Sequence, residues 1–269
     1  MDLPTTAPWV SPDGYAPTAQ RPLRAKQRLL EHRADIQPHR HAWAQLVFSI
    51  AGAVRVSTEA STYIVPPSRA VWIPPGLVHA VTAIEQAGLR TVYLGPALLD
   101  GPAWLAGRVL EVSPLLRELV LALPTQVEPA PAETTADAAR RSHVEQLVIA
   151  ELKQARALAL GVALPADARL RRLCEAMLAE PGRHAGLDAW AREAGYSPRT
   201  LSRLFREQLG TSFAQWRSQV LLAHALTLAA RGRPMSHIAS ELGYASASAF
   251  TAMVTRTVGM PPSRFFAEA

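Results

Sequence analysis

Cysteine, lysine and long apolar runs are nearly absent from this 269-residue sequence. The single cysteine, Cys174, excludes an intramolecular disulfide and is typical of a reducing compartment. It lies in an apolar pattern with Leu170, Leu173 and Met177, which favours a buried thiol over a nucleophile. The most apolar stretch, residues 219–232, is too short to span a bilayer and contains a histidine. We therefore expect no contact with a membrane.

The N-terminus also lacks the features of a secretory signal. Its first 14 residues, MDLPTTAPWVSPDG, have an acid at position 2, repeated prolines and no apolar core. With the single cysteine, this predicts a cytoplasmic protein. A composition of 49% hydrophobic and 19% charged residues is globular, and the length suits two domains or one large domain.

Positive charge is concentrated towards the C-terminus. Residues 165–269 carry 13 arginines, no lysine and 8 acids, whereas residues 1–164 carry 15 bases and 14 acids. A basic surface favours nucleic acid or another polyanion as a partner. Charge alone does not decide between this interpretation and the alternative that the protein is simply rich in arginine and has no such partner. Only two of the 28 basic residues are lysines.

The N-terminal part has the pattern of a small β-domain. Short β-branched or aromatic runs at residues 45–52, 53–60, 61–65 and 70–74 are separated by glycine, proline and small polar residues. Such spacing predicts a sandwich or barrel. A helix is predicted to begin at Ser113-Pro114 and to end at Pro124.

Residues 125–164 have the composition of a linker followed by a helix. The segment TQVEPAPAETTADAAR is rich in proline, alanine and threonine. A helix is predicted over residues 137–159, with apolar positions at Val144, Leu147, Val148, Leu152 and Leu158. The stripe suits either packing within the protein or a homodimer, and the pattern leaves both open.

The C-terminal part contains nearly the same pattern twice. Residues 195–210 are GYSPRTLSRLFREQLG and residues 243–259 are GYASASAFTAMVTRTVG. In each copy a glycine can end one helix and a serine can cap the next, with one more residue in the second turn. The preceding helices carry Ala191 and Ala239, which are small enough for close helix contact. Both copies are predicted to be helix-turn-helix units.

The second helix of each unit has one apolar and one polar face. The apolar faces are predicted to be buried and comprise Leu201, Leu204, Phe205 and Leu209 in the first copy, and Phe250, Met253, Val254 and Val258 in the second. Arginines and hydroxyls on the other face suit phosphate oxygens and the acceptor edge of guanine. The predicted DNA-binding residues are Arg199, Thr200, Ser202, Arg203 and Arg206, then Ser248, Thr251, Thr255 and Arg256.

A helical connector over residues 213–229 would separate the two units by ~25 Å plus their own widths. Major grooves on one side of DNA recur every ~34 Å, so both units could enter adjacent grooves of one duplex. Helix-turn-helix units also serve as packing modules, which is the alternative.

Residues 165–269 resemble the DNA-binding domain of the AraC/XylS family of bacterial transcriptional regulators. The resemblance rests on AREAGYSPRTLSRLFREQLGTSFAQW, the connector WRSQVLLAHALTLAARG, and IASELGYASASAFTAMVTRTVGMPPSRF. It implies recognition helices at about 198–207 and 247–257. The sequence departs from the family at Val254 and Thr255, where a phenylalanine followed by a basic residue is common.

Histidines in the N-terminal part form a second constellation. His39, His41 and Gln45 have even spacing, which predicts that they share one face of a strand, and PPGLVH ends in His79. The pattern is similar to the cupin barrel, with Gln45 where a metal-binding cupin usually has glutamate. Three imidazoles can hold a divalent metal, and the alternative is a pocket that needs no cofactor. Its apolar wall could include Trp43, Phe48, Tyr63 and Trp72, although aromatic strand residues are usually core.

These observations predict an α+β protein of two domains, a cupin-like β-barrel and an all-α domain with two helix-turn-helix units. We expect a cupin-like effector-sensing domain at 1–124, a linker and candidate dimerisation helix at 125–164, and a DNA-binding domain at 165–269. The predicted function is sequence-specific transcriptional regulation of double-stranded DNA in response to a small molecule, without catalysis. A metal-dependent cupin enzyme is disfavoured by Gln45 and the arginine stripe, and non-specific nucleoid binding by the mixed hydroxyl and arginine faces.

Overall fold

The computed structural model describes residues 12–67, 69–96, 98–99, 101–125, 133–158, 160–184 and 186–266. The chain divides into two compact units, the first formed by residues 1–58 and 65–158 and the second by residues 59–64 and 159–269. Within the described ranges, no helix combines the length and apolar character that crossing a bilayer requires. The predicted α+β class, with a cupin-like β-domain followed by a helical domain, is confirmed.

The first unit is built from two antiparallel sheets. One has the strand order β1-β8-β3-β6-β9-β10, and β7 pairs with both β2 and β4 in the other. The strands of this unit are β1 (Leu23–Leu30), β2 (Asp35–His39), β3 (Ala44–Ala51), β4 (Val54–Thr58), β6 (Arg69–Ile73), β7 (His79–Ala83), β8 (Ala87–Leu94), β9 (Arg108–Glu111) and β10 (Ala157–Leu158).

Two helices cover the outer face of the first sheet. Side chains alternate along each strand, so Leu46, Phe48 and Trp72 point outward into one core with residues of the helices, while Gln45 points to the other face. These helices are α1 (Pro114–Ala122) and α2 (Thr135–Gln154). Ser113 caps α1, as predicted, by accepting a hydrogen bond from the Leu116 N–H.

The helix α2 is shorter than predicted. It begins after Thr134, whose hydroxyl accepts from the Asp137 N–H, and it ends at Gln154 because the chain then enters β10. Leu158 therefore lies in a strand and not on the predicted helical stripe. Val148 and Leu152 are fully buried in the core of their own unit, whereas Leu147 is 48% exposed.

Among its described residues, the second unit is helical apart from one short strand pair, β5 (Ser61–Val65) with β11 (Gly161–Ala163). Its helices are α3 (Ala168–Ala179), α4 (Leu187–Glu193), α5 (Pro198–Leu209), α6 (Phe213–Ala230), α7 (Met235–Glu241), α8 (Ala247–Val258) and α9 (Pro262–Phe265). Cys174 is buried on α3, and this burial raises the pKa of its thiol to about 12. The thiol is therefore a core group, as predicted.

Both predicted helix-turn-helix units are present, α4–α5 and α7–α8. Gly195 and Gly243 have φ values of 66° and 78°, which glycine adopts without strain. Ser197 accepts a hydrogen bond from the Thr200 N–H, and Ser246 accepts one from the Ala249 N–H. The two turns are thus built by the same residue types.

Candidate nucleic-acid interface and histidine cluster

The recognition helices α5 and α8 present the predicted polar faces to solvent. Leu201, Phe205, Phe250, Met253 and Val254 are buried, which confirms the predicted apolar faces at these positions. Seven of the nine predicted DNA-binding residues are exposed: Arg199, Arg203, Arg206, Ser248, Thr251, Thr255 and Arg256. Thr200 and Ser202 are half-buried, and the Thr200 hydroxyl lies 2.8 Å from that of the capping Ser197.

Arg203 has an acidic neighbour that the sequence pattern did not single out. Its Nη1 donates to both carboxylate oxygens of Glu207, each at 2.9 Å, and the two side chains are 62% and 51% exposed. The i,i+4 spacing was the available signal. The ion pair holds the guanidinium along the helix surface. Because the pair is exposed, it contributes little to stability, so DNA can compete with Glu207 for the guanidinium.

Arg169 of α3 holds the turn of the first helix-turn-helix, α4–α5. Its guanidinium donates to the Ala194 carbonyl at 3.1 and 2.7 Å and to the Gly195 carbonyl at 3.0 Å. It also lies 4.3 Å from the centre of the Tyr196 ring. Arg169 therefore fixes the turn from which α5 starts, a role that was not predicted.

A groove of about 1100 Å³ lies between the start of α6 and the surface of α8. Its lining includes Ser212, Gln215, Arg217 and Arg256. Arg217 donates to the His184 carbonyl through Nη2, and its buried Nε has no hydrogen-bond partner among the described residues. The groove thus places basic and hydroxyl groups between the start of α6 and the recognition helix α8.

The first unit brings the predicted histidines together. The ring centres of His39 and His79 are 4.3 Å apart, and those of His41 and His79 are 5.2 Å apart. One ligand atom from each of the three rings lies within 4.8 Å of the others. His79 begins β7 and His39 ends β2, so two neighbouring strands and the following loop supply the cluster.

The prediction that His39, His41 and Gln45 share one strand is wrong. His39 is the last residue of β2, His41 lies in the connection, and Gln45 is on β3. The pairing of β2 with β7 is irregular between Ile36 and His39, and the chain then crosses to the other sheet. The side chains converge because the connection folds back and not because of a two-residue period.

Backbone carbonyls orient all three imidazoles in the same way. The Nδ1 atoms of His39, His41 and His79 lie 2.9, 2.6 and 2.9 Å from backbone carbonyl oxygens. Because a carbonyl can only accept, each Nδ1 carries the proton, and a neutral ring leaves Nε2 with a lone pair. Burial lowers the pKa of His79 to about 4, which keeps that ring neutral near pH 7.

Gln45 adds a fourth polar atom to the cluster. Its Oε1 lies 2.6 Å from His41 Nε2 and 3.1 Å from His79 Nε2. An Nε2 with a lone pair and an amide oxygen are both acceptors, so the contacts are satisfied by a proton on Nε2, by the amide nitrogen in the oxygen position, or by a cation that both atoms bind. Three imidazole nitrogens with an oxygen are a donor set that suits Zn, Ni, Cu or Fe.

Of the four aromatic residues considered for a pocket wall, only Trp43 contacts the cluster. Its indole stacks on the His41 ring at 5.1 Å with an interplanar angle of 4°. Phe48 and Trp72 belong to the core beneath α1 and α2, and Tyr63 belongs to the second unit. Tyr93, which was not predicted, packs edge-on against His41 at 5.6 Å.

Comparison with known protein families finds two matching domains. Residues 26–192 match an AraC-like ligand binding domain, and residues 190–268 match a helix-turn-helix domain. The chain is 32% identical over 229 residues to the HTH-type transcriptional regulator NimR of Escherichia coli K12, covering 85% of this chain and 81% of NimR.

Two more similarities cover different lengths. The HTH-type transcriptional activator RhaR of Escherichia coli K12 is 36% identical over 80 residues, which is 29% of this chain and 28% of RhaR. The solved structure of ToxT from Vibrio cholerae aligns with 92% of this chain and 98% of its own at 11% identity and a TM-score of 0.38. The matched domains and the similarity to NimR show that this chain belongs to the AraC family of transcriptional regulators.

Proposed function

We propose that this regulator binds one operator through both helix-turn-helix units at once, with α5 and α8 in adjacent major grooves. The observation that carries the proposal is the duplication itself. Two turns with the same capping geometry are attached to the two ends of one continuous helix, α6. A single polypeptide then offers DNA the two recognition helices that dimeric repressors supply with two chains.

The connector has the length and rigidity for this task. α6 has 18 residues and spans ~27 Å at ~1.5 Å per residue. Ten of its residues are buried and a complete capping box starts it, so it is held by its surroundings on most sides. Together with the width of the flanking helices, this length is of the order of the ~34 Å repeat of the major groove.

The exposed faces suit different contacts. Arg199, Arg203 and Arg206 on α5 can bind phosphates or the O6 and N7 of guanine. The hydroxyls of α8 can bind either phosphates or base edges, and the groove beside α8, whose lining includes Arg217 and Arg256, suits a segment of the sugar-phosphate backbone.

The direct test is sequencing of genomic fragments that the purified full-length protein retains at ~150 mM salt, where non-specific phosphate binding is weakened. We expect a small set of fragments that share two short elements one helical turn apart. Uniform retention of all fragments, or retention of none, would contradict binding through two adjacent grooves.

Arg203→Ala is expected to weaken operator binding by ~1–3 kcal/mol, which is about 5- to 150-fold, and to relax the preference at one base pair. The matched control is Arg172→Ala, which removes an exposed arginine of α3 outside both recognition helices. Titration against the operator and its single-base variants measures both effects. An equal loss on every sequence would assign Arg203 to a phosphate.

For the first unit, we infer that it senses a small molecule and that His39, His41, His79 and Gln45 hold a divalent metal. The support is the convergence of three Nε2 lone pairs and one amide oxygen, with every Nδ1 committed to a backbone carbonyl. When bound, such a metal supplies a Lewis-acidic site for an effector. The backbone carbonyls that accept from each Nδ1 orient the three rings.

Metal analysis of the full-length protein tests this site. After exposure to zinc and removal of the excess, we expect about one metal per chain in the unmodified protein and almost none in His39→Ala/His79→Ala. His143→Ala, which removes an exposed histidine of α2, is the control and should keep the metal. Metal retained by the double variant, or absent from the unmodified protein, would contradict the assignment.

We infer that the protein works in the cytoplasm. We also infer that it acts by binding and without catalysing a reaction, as expected for a regulator of transcription. We propose that two chains associate through the side of α2 that exposes Leu147.

A further inference from the structure

A short segment after α3, residues 180–184, is bound to the first helix-turn-helix. We call it the joint segment. Trp190 of α4 donates its indole N–H to the His184 carbonyl at 3.2 Å. The His184 ring packs edge-on against Trp190 at 4.8 Å, and its Nε2 lies 2.7 Å from a carboxylate oxygen of Glu193, also on α4. The joint segment is therefore held on the helix that precedes the first turn.

The joint segment also contacts the second helix-turn-helix, and it does so through its backbone. A Cβ atom on Gly182 would lie 2.5 Å from the Glu241 carbonyl oxygen at the end of α7, which is much closer than van der Waals contact permits. A Cβ atom on Gly243 would lie 3.3 Å from the Gly182 carbonyl oxygen. Glycine at both positions permits this close approach of two backbones. The two helix-turn-helix units thus have a direct contact in addition to their connection through α6.

Arg217 of α6 binds both sides of this contact. Its Nη2 donates to the His184 carbonyl at 3.2 Å. Burial lowers the pKa of Arg217, and attraction to the Tyr244 side chain and a hydrogen bond with it oppose that shift. Tyr244 directly follows Gly243, and its ring packs edge-on against Phe250 of α8 at 5.7 Å. One guanidinium of the connector therefore binds the joint segment and the second helix-turn-helix.

A single connecting helix does not by itself set the angle between the elements at its ends. It fixes their separation, but the short turns at its two ends can act as hinges about which each element rotates. A second contact away from the helix axis removes this freedom.

We propose that the joint segment is this second contact, and that Gly182 and Arg217 are positioning residues that hold α5 and α8 in one arrangement before DNA binds. The inference rests on the proposed binding of one operator by both helix-turn-helix units. A preformed arrangement spares binding the entropic cost of ordering two independent units.

One added methyl group tests the contact. Gly182 does not have a positive φ, so Gly182→Ala changes only the approach to the Glu241 carbonyl oxygen and forces the two backbones apart. Gly186→Ala is the matched control, because a Cβ atom there meets none of the described residues within 4 Å beyond its chain neighbours, and its φ of −150° is extended backbone. Arg217→Met is the second variant, which removes the guanidinium and keeps an unbranched side chain.

The distance between the two helix-turn-helix units is measured without DNA. Full-length protein carries nitroxide labels at Gln208→Cys and Ala247→Cys, two exposed positions on α5 and α8, and double electron–electron resonance gives the distribution of label distances. Cys174 is buried, and burial raises the pKa of its thiol to about 12, so it does not take the label. We expect a narrow distribution in the labelled protein and in Gly186→Ala, and a shifted or broader one in Gly182→Ala and Arg217→Met.

Binding to DNA gives the second readout. Affinity for the two-element operator should fall at least about fivefold in Gly182→Ala and Arg217→Met, the loss expected when about one molecule in five holds the binding arrangement. Affinity for fragments that carry a single element should be unchanged, because one helix-turn-helix needs no fixed partner. Local unfolding, or a phosphate contact of Arg217, would instead weaken binding to single-element fragments as well.

Two results would overturn the proposal: Gly182→Ala or Arg217→Met keeps the distance distribution of Gly186→Ala, or the two variants lose affinity equally for single-element and two-element DNA. The melting temperature shows that each variant is folded before its labels are read. Because the distances are recorded without DNA, failure to find a two-element operator contradicts only the proposed DNA binding. An unchanged distribution beside intact operator binding contradicts only the role of the joint segment.

Discussion

Phe205→Ala is expected to destabilise the second unit by ~3–5 kcal/mol and to unfold the first helix-turn-helix. Phe205 is fully buried, and its ring packs edge-on against Phe213 at 5.3 Å and against Trp216 at 5.5 Å. Both partners belong to α6, so the substitution would leave a cavity where α5 meets the connector. Binding to the operator should be lost with the fold.

Urea denaturation followed by tryptophan fluorescence measures this effect, because Trp190 and Trp216 are both buried in the same unit. Gln208→Ala, on the exposed side of the same helix, is the matched control and should cost less than about 1 kcal/mol. If both variants unfolded at the same urea concentration, the assignment of the buried face of α5 would be wrong.

The second large effect is expected from the spacing of the operator. Five base pairs inserted between the two elements should weaken binding at least about 100-fold, since one mismatched base pair already costs ~1–3 kcal/mol and a whole element would be displaced to the opposite side of the duplex. Electrophoretic mobility shift at fixed salt measures the loss.

An insertion of ten base pairs separates a rigid connector from a flexible one. It returns the second element to the original side of the duplex but places it ~34 Å farther away, beyond the reach of an 18-residue helix. We therefore expect no recovery of affinity. Recovery with ten base pairs would show that the units move independently and would contradict the role given to α6.

The helix-turn-helix units could be predicted because their signals are local. Gly195 and Gly243 supply positive φ values, and Ser197 and Ser246 cap the following helices through hydrogen bonds to the residue three positions on. The arginine face of α5 follows from the same helical period that buries Phe205. No long-range contact was needed for these predictions.

The histidine cluster was predicted only in part because it depends on long-range contacts. His79 meets His39 through the pairing of β7 with β2, and the connection after the irregular end of β2 brings His41 beside them in a way that no residue period describes. The similarity to cupin motifs identified residues that the fold brings together, but His39, His41 and Gln45 were assigned to one strand.

The strand β1 shows a second reason why the sequence predicted the fold only in part. Its inward positions include Lys26 and Arg28, while the outward Leu29 is 64% exposed. Alternation of apolar and polar residues is the main signal for a strand, and here the polarity is inverted over part of its length. A strand of this kind is not recognised from its pattern of apolar and polar residues alone.

The two recognition helices are alike in shape and unlike in chemistry. α5 exposes three arginines, whereas the outer face of α8 combines three hydroxyls with Arg256. A symmetric dimer requires a palindromic operator, but a chain with two different recognition helices requires two different elements in a fixed order along the DNA. The site bound by one chain should therefore be asymmetric, so that a search for a palindrome within it would miss it, and each such site would orient the bound chain in one direction along the DNA.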